Sequence, residues 1–315
     1  MSTIRKSLLK AGAGIGLMLL MGGVNMVFGQ SNENTKANIE PGKLTISVVQ
    51  FHARNNLVEN VRRHCDYIRS CAKDGARVVV FPECSVTNYD DEVIESLTQE
   101  KLNEIDAAIA AAAKEANVYA IVGMPTKNGA KFFNSAVVFT PDGKVLERYH
   151  KVQLVGERWA VPGDHMSVFP IDDTLASIII CHDERYPELV RLPVIAGARI
   201  VFYISYESGI TEERKIVPYR AQIVARAVEN SVYIAHANAP GVNSNLGGSH
   251  GQSRIIRPDG NIISEASIFD EEVITATLDM KKANGNLANQ SLGCDFLKSW
   301  WEDGASKVRR ISKPE

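Results

Sequence analysis

Cysteine is scarce in this chain of 315 residues: it has five, with no CxxC pair and no Cys/His spacing of the kind that holds zinc. A zinc-stapled fold is therefore not expected, and an odd number of thiols leaves at least one unbridged. Cys65 and Cys71 fall on one amphipathic stretch, about 9 Å apart along a helix axis and too far for a mutual bridge. Charge of one sign is equally short. The formal net charge is -2 and no segment carries a stripe of lysine and arginine, which argues against nucleic acid as a partner. A phosphate loop is missing too, since Gly247-Gly248-Ser249-His250-Gly251 is too irregular for one and reads as a loop before a strand. What the chain does have is 45% apolar residues, enough for a substantial core.

One uninterrupted stretch without charge opens the sequence, from Ala11 to about Phe28 behind Arg5, Lys6 and Lys10. It is short for a membrane span and is broken by Gly22-Gly23 and Asn25. A basic start, an apolar middle and the small residues Val27 and Gly29 before a cut near Gly29 or Gln30 give the layout of a secretory signal peptide over residues 1–30. The plain alternative is an uncleaved anchor. Residues 31–43 read as a polar linker. The chain is thus expected to be exported, periplasmic or secreted, with no stable membrane span after processing.

From Leu44 onward apolar strands alternate with amphipathic helices. Leu44 to Gln50 predicts a strand, and Leu57 to Lys73 a helix with apolar residues at the three-four spacing, ended by Gly75. Arg77 to Phe81 is a strand, Glu100 to Glu115 a helix, and Val118 to Met124 a strand. The strands Asn134 to Phe139 and Lys144 to Tyr149 flank the turn Thr140-Pro141-Asp142-Gly143. The second half repeats the order: strand Ala176 to Ile180, helix Tyr186 to Ala196, strand Ala198 to Ile204, helix Glu213 to Glu229, strand Val232 to Ala237. A hairpin about Arg257-Pro258-Asp259-Gly260 follows, then a last strand, Val273 to Leu278. Gly75-Ala76-Arg77-Val78-Val79 echoes Gly197-Ala198-Arg199-Ile200-Val201. Two similar halves, each a mixed sheet with helices on one face, bury their bare faces by packing together, which predicts an α/β fold with a four-layer α-β-β-α sandwich. A single doubly wound sheet is the runner-up and accommodates two separate hairpins less well.

Three chemically capable residues end strands, where such sheets present ligand-binding groups. Cys181 stands between Ile178-Ile179-Ile180 and a helix, near unpaired N–H groups and a positive helix end that favour thiolate over thiol. Its plain alternative is a small buried core residue. Glu83 follows Val78-Val79-Val80-Phe81-Pro82, partly desolvated and suited to general acid/base work, or else a rim carboxylate. Lys151 closes a hairpin strand, where an ordinary solvated lysine is common.

Together with their surroundings these residues make a recognisable set. Phe81-Pro82-Glu83, Tyr149-His150-Lys151-Val152-Gln153-Leu154 with Pro162-Gly163-Asp164, and Cys181-His182-Asp183-Glu184-Arg185-Tyr186-Pro187-Glu188-Leu189 resemble the carbon-nitrogen hydrolase (nitrilase) superfamily. So do Arg226-Ala227-Val228-Glu229-Asn230 with Asn238, and Gly251-Gln252-Ser253 with Pro258-Asp259-Gly260, in order from about Leu44 to Met280. The resemblance implies a catalytic domain over residues 44–280, Glu83 as general base, Lys151 as transition-state stabiliser and Cys181 as nucleophile, with no metal or organic cofactor required. It implies a second glutamate after the lysine, matched here by Glu157; the alternative for Glu157 is a surface pair with Arg158. Asp183 and Arg185 read as structural partners near the nucleophile turn, with Arg185 alternatively binding a substrate carboxylate. His182 and His150 raise a Cys/His pair, a role the Glu and Lys neighbours already fill. Cys84, beside Glu83, reads as a wall residue.

The string after Cys181 is closer to the amidase and carbamoylase branches than to nitrile-cleaving members, which tend to show tryptophan then glutamate where this chain has His182-Asp183. The expected function is hydrolysis of small linear amides or N-carbamoyl compounds. The alternatives are nitrile hydrolysis or acyl transfer within the superfamily, or a non-catalytic exported binding protein on the same fold. Residues 281–315 read as a C-terminal extension, and the resemblance implies a homodimer or larger homo-oligomer in which Trp300-Trp301 and the basic tail to Arg310 are expected to pack on a neighbouring subunit.

Overall fold

Val78, Val79 and Val80 show how three valines in a row can all be buried: Val78 and Val80 enter a core shared with a second sheet, while Val79 faces helices. That partition runs through the molecule. The computed structural model describes residues 42–207, 213–241 and 248–314, with the side chains of 213–216 omitted. The segment read as a signal peptide, and nearly all of the linker, lie outside the described residues.

The elements in chain order are β1 (Lys43–Gln50), α1 (Leu57–Lys73), β2 (Val78–Val80), α2 (Asp91–Glu95), α3 (Gln99–Ala116), β3 (Tyr119–Asn128), β4 (Lys131–Phe139), β5 (Val145–His150), β6 (Ser167–Ile171) and β7 (Thr174–Ile180). After them come α4 (Glu188–Ile195), β8 (Ile200–Ser205), α5 (Glu213–Val228), β9 (Tyr233–Asn238), β10 (Arg254–Ile256), β11 (Ile262–Glu265), β12 (Glu272–Asp279), α6 (Asn286–Asn289), α7 (Asp295–Ser306) and β13 (Arg309–Arg310). Local chemistry sets the boundaries. The Asn56 side chain caps α1 by accepting the Glu59 N–H, Thr98 does the same for α3 at Lys101, and α3 stops at Asn117 in the left-handed region.

The strands form a six-stranded sheet, β12-β1-β2-β3-β4-β5, and a seven-stranded sheet, β11-β10-β9-β8-β7-β6-β13. One core lies between them, and each outer face is covered by helices, α1 and α3 on the first and α4 and α5 on the second. This is the α-β-β-α sandwich read from the sequence. Two details differ from that reading. The last strand does not stay with its own half: β12 pairs antiparallel with β1 over eight residues, so the end of the second half completes the first sheet. The repeat of pattern could not reveal the exchange, because a strand's apolar alternation says which face is buried and not which neighbour it joins. The C-terminal extension is also part of the sandwich. Trp301 and Val308 pack into the outer core of the second sheet, β13 pairs with β6, and Gly304 sits where a Cβ would meet the Leu192 side chain.

The sheets are clipped together at one end by an ion pair. Arg77, just before β2, grips Asp172 in the β6–β7 turn with two hydrogen bonds of 2.7 Å, and the Tyr119 hydroxyl adds a third at 3.3 Å. Burial pushes the Asp172 carboxyl up, but the Arg77 hydrogen bonds and charge outweigh it and hold the group below the ordinary value. Asp172→Asn, which tolerates the left-handed backbone at φ 49, is expected to cost about 1–3 kcal/mol at pH 7. Because the folded carboxyl releases its proton more readily than the unfolded one, this contribution is complete above about pH 4 and disappears as pH falls through the lower folded value. Thermal unfolding of the two proteins between pH 7 and pH 2.5 should show the gap closing in acid.

Candidate active site

Glu83, Lys151 and Cys181 come from three different strand ends, and close backbone approaches bring the first two into place. Gly123 of β3 lies under the loop that carries Glu83: a Cβ there would stand 2.1 Å from the Pro82 carbonyl oxygen and 2.7 Å from the Glu83 Cα. Gly163 likewise leaves no room for a side chain against His150, and its N–H donates to the Lys151 carbonyl at 2.8 Å. Only glycine permits either contact.

The Lys151 ammonium, 2% exposed, donates to Glu83 Oε1 at 2.8 Å and to Glu157 Oε1. Glu83 Oε1 also accepts from Asn134 Nδ2 at 2.7 Å, and Glu83 Oε2 accepts the Tyr206 N–H at 2.8 Å. Glu157 Oε2 takes the Val155 N–H at 2.5 Å. Burial disfavours charge on Lys151, but the Glu83 and Glu157 carboxylates overcome it and hold the amine protonated beyond the ordinary range. Glu157 is thus a buried partner of Lys151 and not a surface carboxylate beside Arg158.

Cys181 follows the last residue of β7 with φ +44, a strained backbone for a residue other than glycine, and opens a 3₁₀ turn through Arg185. Asp183 fixes that turn. Its buried carboxylate accepts the Ile180 N–H at 3.0 Å, the Gln153 N–H at 2.8 Å and the Tyr149 hydroxyl at 2.8 Å, so one side chain ties the nucleophile turn to the Lys151 loop. Burial pushes the Asp183 carboxyl up to about 6 despite these donors. Arg226 of α5 holds the other side of the turn by donating from Nε to the Glu184 carbonyl at 2.8 Å. Asp183 and Arg185 do not pair with each other. Arg185 is exposed and its guanidinium lies over the Tyr219 ring at 5.1 Å.

Cys181, His182, Lys151, Glu157 and Glu207 share a cavity of about 270 Å³ walled by Tyr89, Tyr206 and Tyr219. The thiolate expected from the sequence is not the resting form. Burial, then the Glu83 charge, push the Cys181 thiol well above its ordinary value, and Lys151 opposes them only in part. A thiol that loses its proton only as it attacks needs a base. His182 is held below its ordinary value chiefly by burial. His150 belongs elsewhere: Ser135 Oγ lies 2.8 Å from its Nδ1, it stacks on Phe133, and it lines a separate cavity. Cys84 is buried, 3.7 Å from Asn134 Oδ1. All five cysteines are free thiols.

The sequence reading missed Asn134 and Glu207. Asn134 is a buried amide beside the buried Ser135 in a mostly apolar strand, opposite the hairpin strand that delivers Lys151, and its Nδ2 lies within 3.3 Å of Glu157 Oε1 as well as 2.7 Å from Glu83. It touches both carboxylates and is a positioning residue. Asn134→Ala is expected to lower kcat about ten- to a hundredfold with little change in KM, the loss of a hydrogen bond to a charged group. Steady-state kinetics on any turned-over amide would show the split.

A family model described as carbon-nitrogen hydrolase matches residues 45–285. Among curated proteins, omega-amidase NIT2-B of Xenopus laevis is 28% identical over 253 residues, covering 76% of this chain and 90% of that protein. Omega-amidase NIT2 of Homo sapiens is 26% identical over 251 residues, with 75% and 89% covered. Among solved structures, a cysteine-to-alanine variant of an amidase of the nitrilase superfamily from Nesterenkonia AN1 superposes with a TM-score of 0.72 at 23% identity, covering 84% of this chain and 99% of that one. The same variant in complex with butyramide gives 0.72 at 22% identity, with the same coverage.

Proposed function

Because the chain belongs to the carbon-nitrogen hydrolase family, we propose that it hydrolyses the C–N bond of small linear amides or N-carbamoyl compounds through a thioester on Cys181. The observation that carries the reading is the buried Glu83–Lys151–Glu157 group, two of whose members, Lys151 and Glu157, border a cavity of small-molecule size together with the strained Cys181 turn. In the proposed sequence Glu83 takes the thiol proton as Sγ attacks the amide carbon. The oxyanion is met by the Lys151 ammonium and the His182 N–H. Collapse breaks the C–N bond, and the proton on Glu83 passes to the departing ammonia or amine. Water, deprotonated by Glu83, then attacks the thioester carbon; the acid leaves and the thiol regains its proton. The omega-amidase and amidase relatives support amide over nitrile substrates. Export of the mature chain is proposed on residues 1–30 alone.

The test is ammonia release from a panel of linear amides and N-carbamoyl amines, with intact-mass measurement of the native protein and a Glu83→Gln variant. An adduct on Cys181 equal to the acyl group is expected in acid-quenched native protein and is expected to be absent from the variant, because Glu83 serves as base in both half-reactions. Absence of both turnover and adduct across the panel would return the protein to the non-catalytic binding reading.

A further inference from the structure

Glu207 follows β8 as Glu83 follows β2, and it lines the Cys181 cavity with no part in the proposed bond-breaking steps. It is 2% exposed. The Tyr203 hydroxyl donates to its Oε1 at 2.6 Å, and His250 Nε2 lies 2.7 Å from its Oε2. Asn238 Oδ1, which also accepts from Ser205 at 2.9 Å and Ser249 at 2.7 Å, takes the Glu207 N–H at 3.1 Å, so the backbone is pinned behind the carboxylate. Among the described residues each oxygen has one contact within hydrogen-bond distance, with His236 Nε2 farther from Oε1 at 3.7 Å, so each keeps a lone pair for a donor in the cavity.

The charges around the cavity are unequal. Among the described wall residues Glu157 and Glu207 are acidic, and the ammonium of Lys151 is already shared between Glu83 and Glu157. Burial raises the Glu207 carboxyl, but His236, His250 and the Tyr203 hydroxyl outweigh it and hold the group below the ordinary carboxylate value. The neighbouring Glu184, whose two oxygens lack hydrogen-bond partners among the described residues, is pushed up to about 9 by burial and by the Glu207 charge. The same charge helps to raise the Cys181 thiol. Among the described wall residues two carboxylates therefore face one ammonium, in a cavity also lined by Tyr89, Tyr206 and Tyr219, and a further cation felt by Glu207 is the buried Arg254 behind the wall.

We propose that Glu207 recognises an ammonium group on the substrate, so that the preferred substrates are linear amides or N-carbamoyl compounds bearing a terminal amine. This rests on the amide-hydrolase reading of the site. A bound ammonium would add a counter-charge at the wall itself, whereas a terminal carboxylate would add a third negative group to the described wall. The competing source of recognition is Arg185, exposed over Tyr219, which would favour the carboxylate instead.

The test measures binding apart from turnover. Cys181→Ala protein is titrated calorimetrically at pH 7 with three matched probes: pentanamide, 5-aminopentanamide and glutaramate. The aminoamide is expected to bind about ten- to a hundredfold more tightly than pentanamide, the range of a charge-assisted hydrogen bond, and glutaramate more weakly than either. Adding Glu207→Gln, which keeps the shape and removes the charge, should shrink that advantage to about threefold or less. Equal affinities, no binding by any probe, or tightest binding of glutaramate would each overturn the assignment. If the double variant does not fold, the order in the single variant decides. Ammonia release from pentanamide by the native protein separates the two claims: turnover without charge discrimination sinks only the role of Glu207, while absence of turnover and of acyl adduct sinks the amide-hydrolase reading.

Discussion

Cys181→Ala is expected to lose amide hydrolysis by about 10⁴-fold or more, while Cys84→Ser stays within about threefold of the native rate. The two thiols make a fair comparison. Both have positive φ, +44 and +50, and both border residues of the Glu83 group. They differ in where the sulfur is. Cys181 lines the cavity with Lys151 and opens a turn whose His182 N–H is the proposed oxyanion donor, whereas Cys84 lines another cavity with Phe51 and Pro240 and contacts Asn134. A serine hydroxyl can make the same contact to Asn134, so the exchange removes nothing the mechanism uses. Alanine at 181 pays the same backbone strain as cysteine and removes a single half-buried sulfur, so unfolding free energy should change by no more than about 1 kcal/mol. Ammonia release and chemical denaturation on the same preparations test both halves. Wild-type turnover by the alanine variant would refute Cys181 as the nucleophile, and inactivity of the Cys84 variant would assign that thiol a part in the chemistry.

The sandwich was legible because periodicity reports burial directly: three valines at Val78–Val80 can only belong to a strand covered on both faces. The strand-end rule found Glu83 and Cys181, and applied once more at the end of β8 it would have found Glu207, a charge placed straight after Ile200–Ser205. Asn134 left a fainter signal, since an Asn-Ser pair in a mostly apolar strand matters only once its pairing with the Lys151 hairpin is known. Two features were not legible at all. The pairing of β12 with β1 depends on three-dimensional closure, and the protonation of Cys181 depends on Glu83 arriving from a distant segment. Helix-end chemistry argued for thiolate; burial and a nearby carboxylate outweighed it.

Lys151→Met should be the most damaging substitution to stability, and its effect follows from what it leaves behind. The ammonium is 2% exposed between two carboxylates with side-chain exposures of 0% and 1%. Burial lowers the tendency of the amine to hold its proton, but Glu83 and Glu157 more than restore it, so its folded value lies above the unfolded one. While both carboxylates are ionised, the pairing therefore contributes fully below about pH 10, where the unfolded lysine is also charged, and fades as pH rises through the folded value. Methionine fills the volume but leaves Glu83 and Glu157 facing each other unpaired, which is expected to cost about 3–5 kcal/mol and to abolish hydrolysis. Adding Glu157→Gln removes one of the two stranded charges and should recover part of the stability with none of the activity. Denaturant unfolding of the native protein, the single variant and the double variant gives the ordering native, double, single. A single variant as stable as the native chain would mean that the three side chains are not held together as described; a double variant that regains hydrolysis would mean that Lys151 does not stabilise the oxyanion.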